Sequence, residues 1–220
     1  FKYDMQINLK DGLDETQKSE YIAGLNQKEQ IEDTLETEML TRTAINAGNE
    51  EDVQIIVPKN QDELEKMISL IDINSKEKIQ LQKGQIVITD KLAELLDVKQ
   101  GDKITLKNDD EEKEIVISNV AENYVYHYAY MTSETYEELF GKQYETNAIL
   151  TKNIEMNEEQ ENSLSTEIMN QNEVSSITRN SDVEEVMNTT MNSLNYVVLV
   201  LIVSAGLLAF AVLYNLSNVN

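Results

Sequence analysis

The chain has no cysteine and no tryptophan, and only one proline, one histidine and seven glycines in 220 residues. Without cysteine there are no disulfide staples, no thiol nucleophile and no thiolate zinc site. The single histidine, His127, lacks the partners that acid–base catalysis or metal binding would need. Basic residues are also scarce: 18 Lys and Arg stand against 41 Asp and Glu, a formal net charge of -23. That balance repels phosphate, so recognition of nucleic acid through a basic face is excluded. The length allows one or two compact domains with real cores.

The charge is unevenly spread. No Asp, Glu, Lys or Arg occurs between Val186 and Asn220. Within this tail, Tyr196 to Tyr214 reads YVVLVLIVSAGLLAFAVLY, interrupted only by Ser204 and Gly206. At 1.5 Å per residue this run covers roughly 28 Å, close to the hydrocarbon thickness of a bilayer. Tyr196 and Tyr214 stand at its ends, where amphipathic rings favour the headgroup level. A soluble helix apolar on every face would need a large protein around it, so the segment reads as a transmembrane helix. Its C-terminal position excludes a signal peptide. No Lys or Arg flanks it closely, so basic-residue counting does not orient it. The chain starts at Phe1 and stops a few residues past the helix, and both ends read as cuts in a longer protein.

The remainder reads as a soluble acidic domain. Phe1 to Leu9 alternates apolar and polar residues with the period of a half-buried strand. Asp14 to Leu25 carries Tyr21, Ile22 and Leu25 at helical spacing behind an Asp cap. Thr34 to Ala47 and Asp52 to Pro58 are extended, and Asn60 to Leu70 is expected to be a helix with Leu64, Met67, Ile68 and Ile71 on one face. From Gly84 to Gly141 the pattern becomes a small curved β unit with two short helices. The strand Ile86 to Ile88 leads into a helix through Leu96, a hairpin joins Lys103–Lys107 to Glu114–Val120, and Gly141 closes the helix Ser133 to Phe140. Asn147 to Thr151, Asn157 to Asn170 and Glu173 to Thr178 then read strand, helix, strand. Two βαβ-like units thus bracket a β-rich middle, the pattern of one shared sheet with an insertion. Ser181 or Asp182 caps a last helix, and no proline or glycine lies between Asp182 and Gly206. One continuous helix from the domain into the membrane is expected.

No catalytic residue, cofactor site or metal site emerges. On a strand, His127 would share a face with Val125, Ala129 and Met131, as a structural histidine. Tyr124, Tyr126, Tyr128 and Tyr130 would line the other face, either as strand packing or as a contact surface. The acidic clusters Asp109–Glu112, Glu158–Glu161 and Asp182–Glu185 lack the loop pattern that wraps calcium and read as solvated turns and helix N-termini. The glycines lie too far apart for a phosphate-cradling loop.

The stretch LLAFAVLYNLSNVN from Leu207 to Asn220 resembles the segment after the extracellular domain of FtsX-like (MacB-type) ABC transporter permeases, specifically the second such domain of the long two-repeat Gram-positive type. Phe1 to Asp4, Glu122 to Tyr124, His127 to Met131 and the Tyr136 to Gly141 helix are similar to the same family. The resemblance implies an α+β fold. A porter-like split βαβ part over 1–72 and 145–181 would carry an inserted β-rich subdomain over 73–144, followed by a stalk helix over 182–195 and a transmembrane helix over 196–216. It implies a non-enzymatic permease subunit in the cell membrane, with its acidic domain on the extracellular side. Its partners would be a cytoplasmic ATPase, the rest of the permease and a second permease copy or repeat. The alternative is a membrane-anchored acidic receptor for cationic peptides or lipid-linked ligands, motivated by the net charge and the tyrosine row.

Overall fold

The computed structural model describes residues 1–108, 111–123 and 127–218. In chain order the elements are β1 (Met5–Leu9), α1 (Glu15–Asn26), β2 (Ile31–Asn46), β3 (Asn49–Pro58), a 3₁₀ turn (Gln61–Glu63), α2 (Leu64–Met67), β4 (Gln85–Thr89) and α3 (Asp90–Leu96). They continue with β5 (Lys103–Asn108), β6 (Glu111–Ala121), β7 (Tyr128–Tyr130), α4 (Ser133–Phe140), β8 (Ala148–Asn153), α5 (Glu158–Met169), β9 (Val174–Arg179) and α6 (Asn180–Asn218). The chain divides into two compact units, Phe1–Thr178 and Arg179–Asn220.

The first unit is an α+β domain built on one nine-stranded sheet. Its split βαβ part has the strand order β2-β8-β1-β9. Because β8 runs antiparallel to both β1 and β2, those two strands are parallel, as a helical crossover through α1 requires. The sequence sets the helices locally. Asp14 and Asn157 each accept from the backbone N–H three residues on, and Gln17 and Gln160 close capping boxes in return. Both helices cover the same core, where Tyr21, Ile22 and Leu25 meet Leu164 and Ile168 over Met5, Ile7 and Ile149.

The inserted strands β4 to β7 close a ring with β2 and β3. Pairings run β2–β3, β3–β7, β7–β4, β4–β6, β6–β5 and β5–β2, and so return to their start. Two of these, β3–β7 and β4–β6, are parallel. Strand alternation fills the inside with Val53, Ile55 and Val57 from β3, Ile86 and Ile88 from β4, Ile104 and Leu106 from β5, and Ala129 from β7. A register shift between Ile86 and Val87 changes the parity of β6, so that both Ile117 and Val120 reach this core. Residues of opposite parity, including Ile56, Val87 and Tyr130, form a second core with Leu64, Met67 and Ile68.

β2 joins the two parts. Its first half pairs with β8, while its second half pairs with β3 on one edge and β5 on the other. The ring core therefore draws Ala44 and Val53 from before residue 73 and Ile86 to Phe140 from after it, across the expected subdomain boundary. The hairpin between β2 and β3 turns on Ala47 and Gly48, at φ 50 and φ 91, the left-handed pair of a type I′ turn.

One expected element is shorter. The helix over Asn60 to Leu70 stops at Met67, and Ile68 is extended at φ -136. The Met67 carbonyl accepts from the N–H groups of Lys2 and Tyr3 at 2.7 and 3.2 Å, so it cannot serve a following helical turn. The Leu70 and Ile71 carbonyls accept from Ile79 and Glu122. Ile68 and Leu70 are buried all the same, as extended residues of the second core.

The second unit is α6, a single helix of 39 residues. At 1.5 Å per residue it is about 58 Å long, roughly twice the bilayer core. Arg179 binds Asp182 through Nε at 2.9 Å and through Nη2, which fixes the first turn. The Thr190 and Ser193 hydroxyls donate to the carbonyls of Val186 and Thr189 and so satisfy themselves within the helix.

Candidate functional site

Among the described residues, α6 is the one helix long and apolar enough to cross a membrane. Its charge-free run begins at Val186, and the large apolar side chains from Val197 to Leu216 are exposed on all faces. Alkyl groups exposed around the full circumference suit hydrocarbon as the surrounding medium. The helix follows the sheet with no loop: β9 ends at Arg179 and α6 begins at Asn180. Glycine and proline are absent until Gly206, so nothing in the covalent chain softens the helix before the span.

The tyrosine row divides. Tyr124 and Tyr126 lie outside the described residues. Tyr128 and Tyr130 lie on β7 with 9% and 1% exposure, in the second core. Ala129 and Met131 point the other way, into the ring. Phe1 packs edge-on against Tyr128 at 5.4 Å and at a tilt against Tyr3 at 5.3 Å. Burial pushes the hydroxyls of Tyr3 and Tyr130 well above the usual tyrosine range, and neighbouring Tyr128 adds to this. These phenols are packing groups with no ionisation near neutral pH. His127 is half-buried, its carbonyl accepts from the Gln54 N–H at 2.9 Å, and its Nδ1 lies 3.8 Å from Glu51 Oε2.

The acidic clusters do not converge. Glu158, Glu159 and Glu161 occupy the first turn of α5, and Asp182 begins α6, where negative charge suits the helix N-terminus. Asp109 and Asp110 lie outside the described residues. Among the described residues no group of three or more acidic or histidine side chains could hold a metal ion. A groove of about 500 Å³ runs between Gln61–Leu70 and Lys78–Gln82.

No family model matches the chain, and no curated protein matches it. The solved structures it resembles include the periplasmic region of MacB from Actinobacillus actinomycetemcomitans, at 10% identity and a TM-score of 0.48, over 85% of this chain and 92% of that one. Another is the extracellular domain of the noncanonic ABC-type transporter YknZ from Gram-positive bacteria. There the identity is 13% and the TM-score 0.46, over 73% of this chain and 88% of that one.

Two polar features were missed by sequence reasoning. Lys18 is buried on the inner face of α1, ion-paired with Glu145 at 2.6 Å. The signal was its place on the apolar stripe with Tyr21, Ile22 and Leu25. Asp72 is also buried, and accepts from the N–H groups of Asn74 and Ser75 and from the Asn119 side-chain amide, each at 2.9 Å. Its signal was the Asp-x-Asn-Ser turn chemistry at 72–75.

Proposed function

We propose that this chain is the extracytoplasmic domain and following membrane helix of an FtsX-like (MacB-type) ABC transporter permease. Its role is mechanical: it relays motion driven by a cytoplasmic ATPase subunit to events outside the membrane, as export or extraction of a substrate. The split βαβ part over 1–72 and 145–181 and the insertion over 73–144 form the working head, residues 182–195 the stalk and 196–216 the span. The domain lies outside the cell membrane, alongside the rest of the permease and a second copy or repeat.

The observation that carries this reading is the unbroken course of α6 from the residue after β9 to Asn218. A stiff helix joined to a sheet strand without a loop passes on displacement that a flexible linker would absorb. Inserting a Gly-Ser stretch at Asn192 should abolish transport-coupled activity while the domain stays folded and expressed. Full activity of that variant would contradict the reading.

The charge of -23 favours a second reading, a receptor that attracts cationic or lipid-linked ligands; of the tyrosine row, a contact role in it falls to Tyr124 and Tyr126, since Tyr128 and Tyr130 are buried. Calorimetry with a cationic peptide tests it: heat of binding that fades with added salt supports it, and no heat at low salt ends it.

A further inference from the structure

Residues 68–71 and 78–82 form a fork. They meet as an antiparallel bridge at Ile71 and Lys78, where Asp72 N–H donates to the Glu77 carbonyl and Ile79 N–H to the Leu70 carbonyl, both at 2.9 Å. One step further the pairing fails. Ile68 N–H turns back to the Leu64 carbonyl at 2.7 Å, which holds that arm against α2, and Leu70 N–H makes no return bond to the Ile79 carbonyl. The groove of about 500 Å³ lies between the parted arms.

Alternation sets what faces the gap. Ile68 and Leu70 are buried, with Ser69 half-buried between them. Ile79 and Leu81 pack on the second core, while Gln80 and Gln82 are exposed. Both arms thus keep the period of a strand. The bond between Leu70 and Ile79 shows that their backbone groups point inward, and Leu81, two residues along, repeats that direction. Among the described residues, no hydrogen bond uses the N–H groups of Leu70 and Leu81 or the carbonyls of Ile79 and Leu81. Donors and acceptors at strand spacing beside apolar side chains are what an extended backbone satisfies. Charge narrows the occupant further. Of the charged side chains on the groove, Lys78 is paired with Glu65, whereas Asp62 has no ion-pair partner among the described residues.

We propose that this fork is a β-augmentation site. An extended segment of a partner polypeptide, apolar at alternate positions and carrying a basic residue, inserts between the arms and bonds to both. Its apolar side chains share the face of Ile79 and Leu81, and its basic residue meets Asp62. The site lies wholly within Phe1–Thr178 and rests on neither reading of function above.

Hydrogen–deuterium exchange of the full chain in nanodiscs, read residue by residue, tests this. The probe is a capped hexapeptide of one lysine followed by alternating valine and threonine, at millimolar concentration. It should slow exchange of the Leu70 and Leu81 amides about ten-fold and leave the amides of α1 unchanged. Analogues N-methylated at the valines or at the threonines each lose the bonds to one arm, and each should lose the protection. Asp62→Asn should weaken binding of the lysine peptide about three-fold. No protection by the peptide overturns the proposal, and so do equal protection by the N-methylated analogues and an affinity unchanged in Asp62→Asn. Protection by a neutral oligosaccharide such as cellotetraose, with none by the peptide, overturns it in favour of a glycan groove.

Discussion

Lys18 Nζ lies 2.6 Å from Glu145 Oε1, with the lysine side chain 5% exposed and the glutamate 65% exposed. The pair ties α1 to the stretch that leads from α4 into β8. That stretch is held by carboxylates at several points: Glu145 N–H donates to Glu38, Tyr144 N–H to Glu137, and the Thr146 hydroxyl to Glu36. Of these contacts, the lysine carries the energetic asymmetry, because it is the charge removed from water.

Removing Glu145 and removing Lys18 should therefore differ. Glu145→Gln leaves a buried ammonium with only Glu15 at 3.6 Å, and is expected to cost about 2 kcal/mol. Lys18→Met removes the charge and keeps the stem, and is expected to stay within about 1 kcal/mol of wild type. Urea unfolding checks the order; equal losses would show that the ammonium is not the costly partner.

The β2–β3 turn should be improvable. Ala47 holds φ 50, where a Cβ is unfavourable and asparagine is well tolerated. Ala47→Asn is expected to raise stability by about 0.5–1 kcal/mol, read as a higher thermal midpoint. Its side chain is exposed, so no packing loss offsets the gain.

Acid should act on Asp72. The Asn119 side-chain amide, followed by the Ser75 N–H, holds this carboxyl below the usual carboxylate range. A depressed folded value means that its stabilisation is complete above the unfolded value, about pH 4, and is lost as pH falls through the folded one. Asp72→Asn is expected to cost on the order of 1–3 kcal/mol at pH 7. The gap to wild type should narrow in melts below pH 4, and a gap constant from pH 7 to pH 3 would contradict this.

Local chemistry made much of the fold readable. The caps at Asp14 and Asn157, the alternation of β1 and the left-handed close of α4 at Gly141 are written in short stretches of sequence. What could not be read depends on distant partners. The helix ending at Met67 is cut short by N–H groups more than sixty residues earlier in the chain. Ring closure depends on β2 accepting three neighbours along its 16 residues, which no periodicity within β2 encodes. Tyr128 and Tyr130 had the alternation of a strand, but burial of both faces of β7 depends on distant partners, the ring core on one side and α2, Phe1 and Tyr3 on the other. The span was legible because hydrophobicity over a whole helix is a property of sequence alone.

Transmission of motion by α6 as a stiff rod is tested by two insertions of equal length at Asn192 in the complete transporter. One is Gly-Ser and the other an alanine-rich helical stretch, with transport-coupled activity measured alongside surface expression and circular dichroism. The flexible insertion should abolish activity and the helical one should retain a substantial part, with both proteins folded and at the surface. Equal, undiminished activity in the two variants would contradict it.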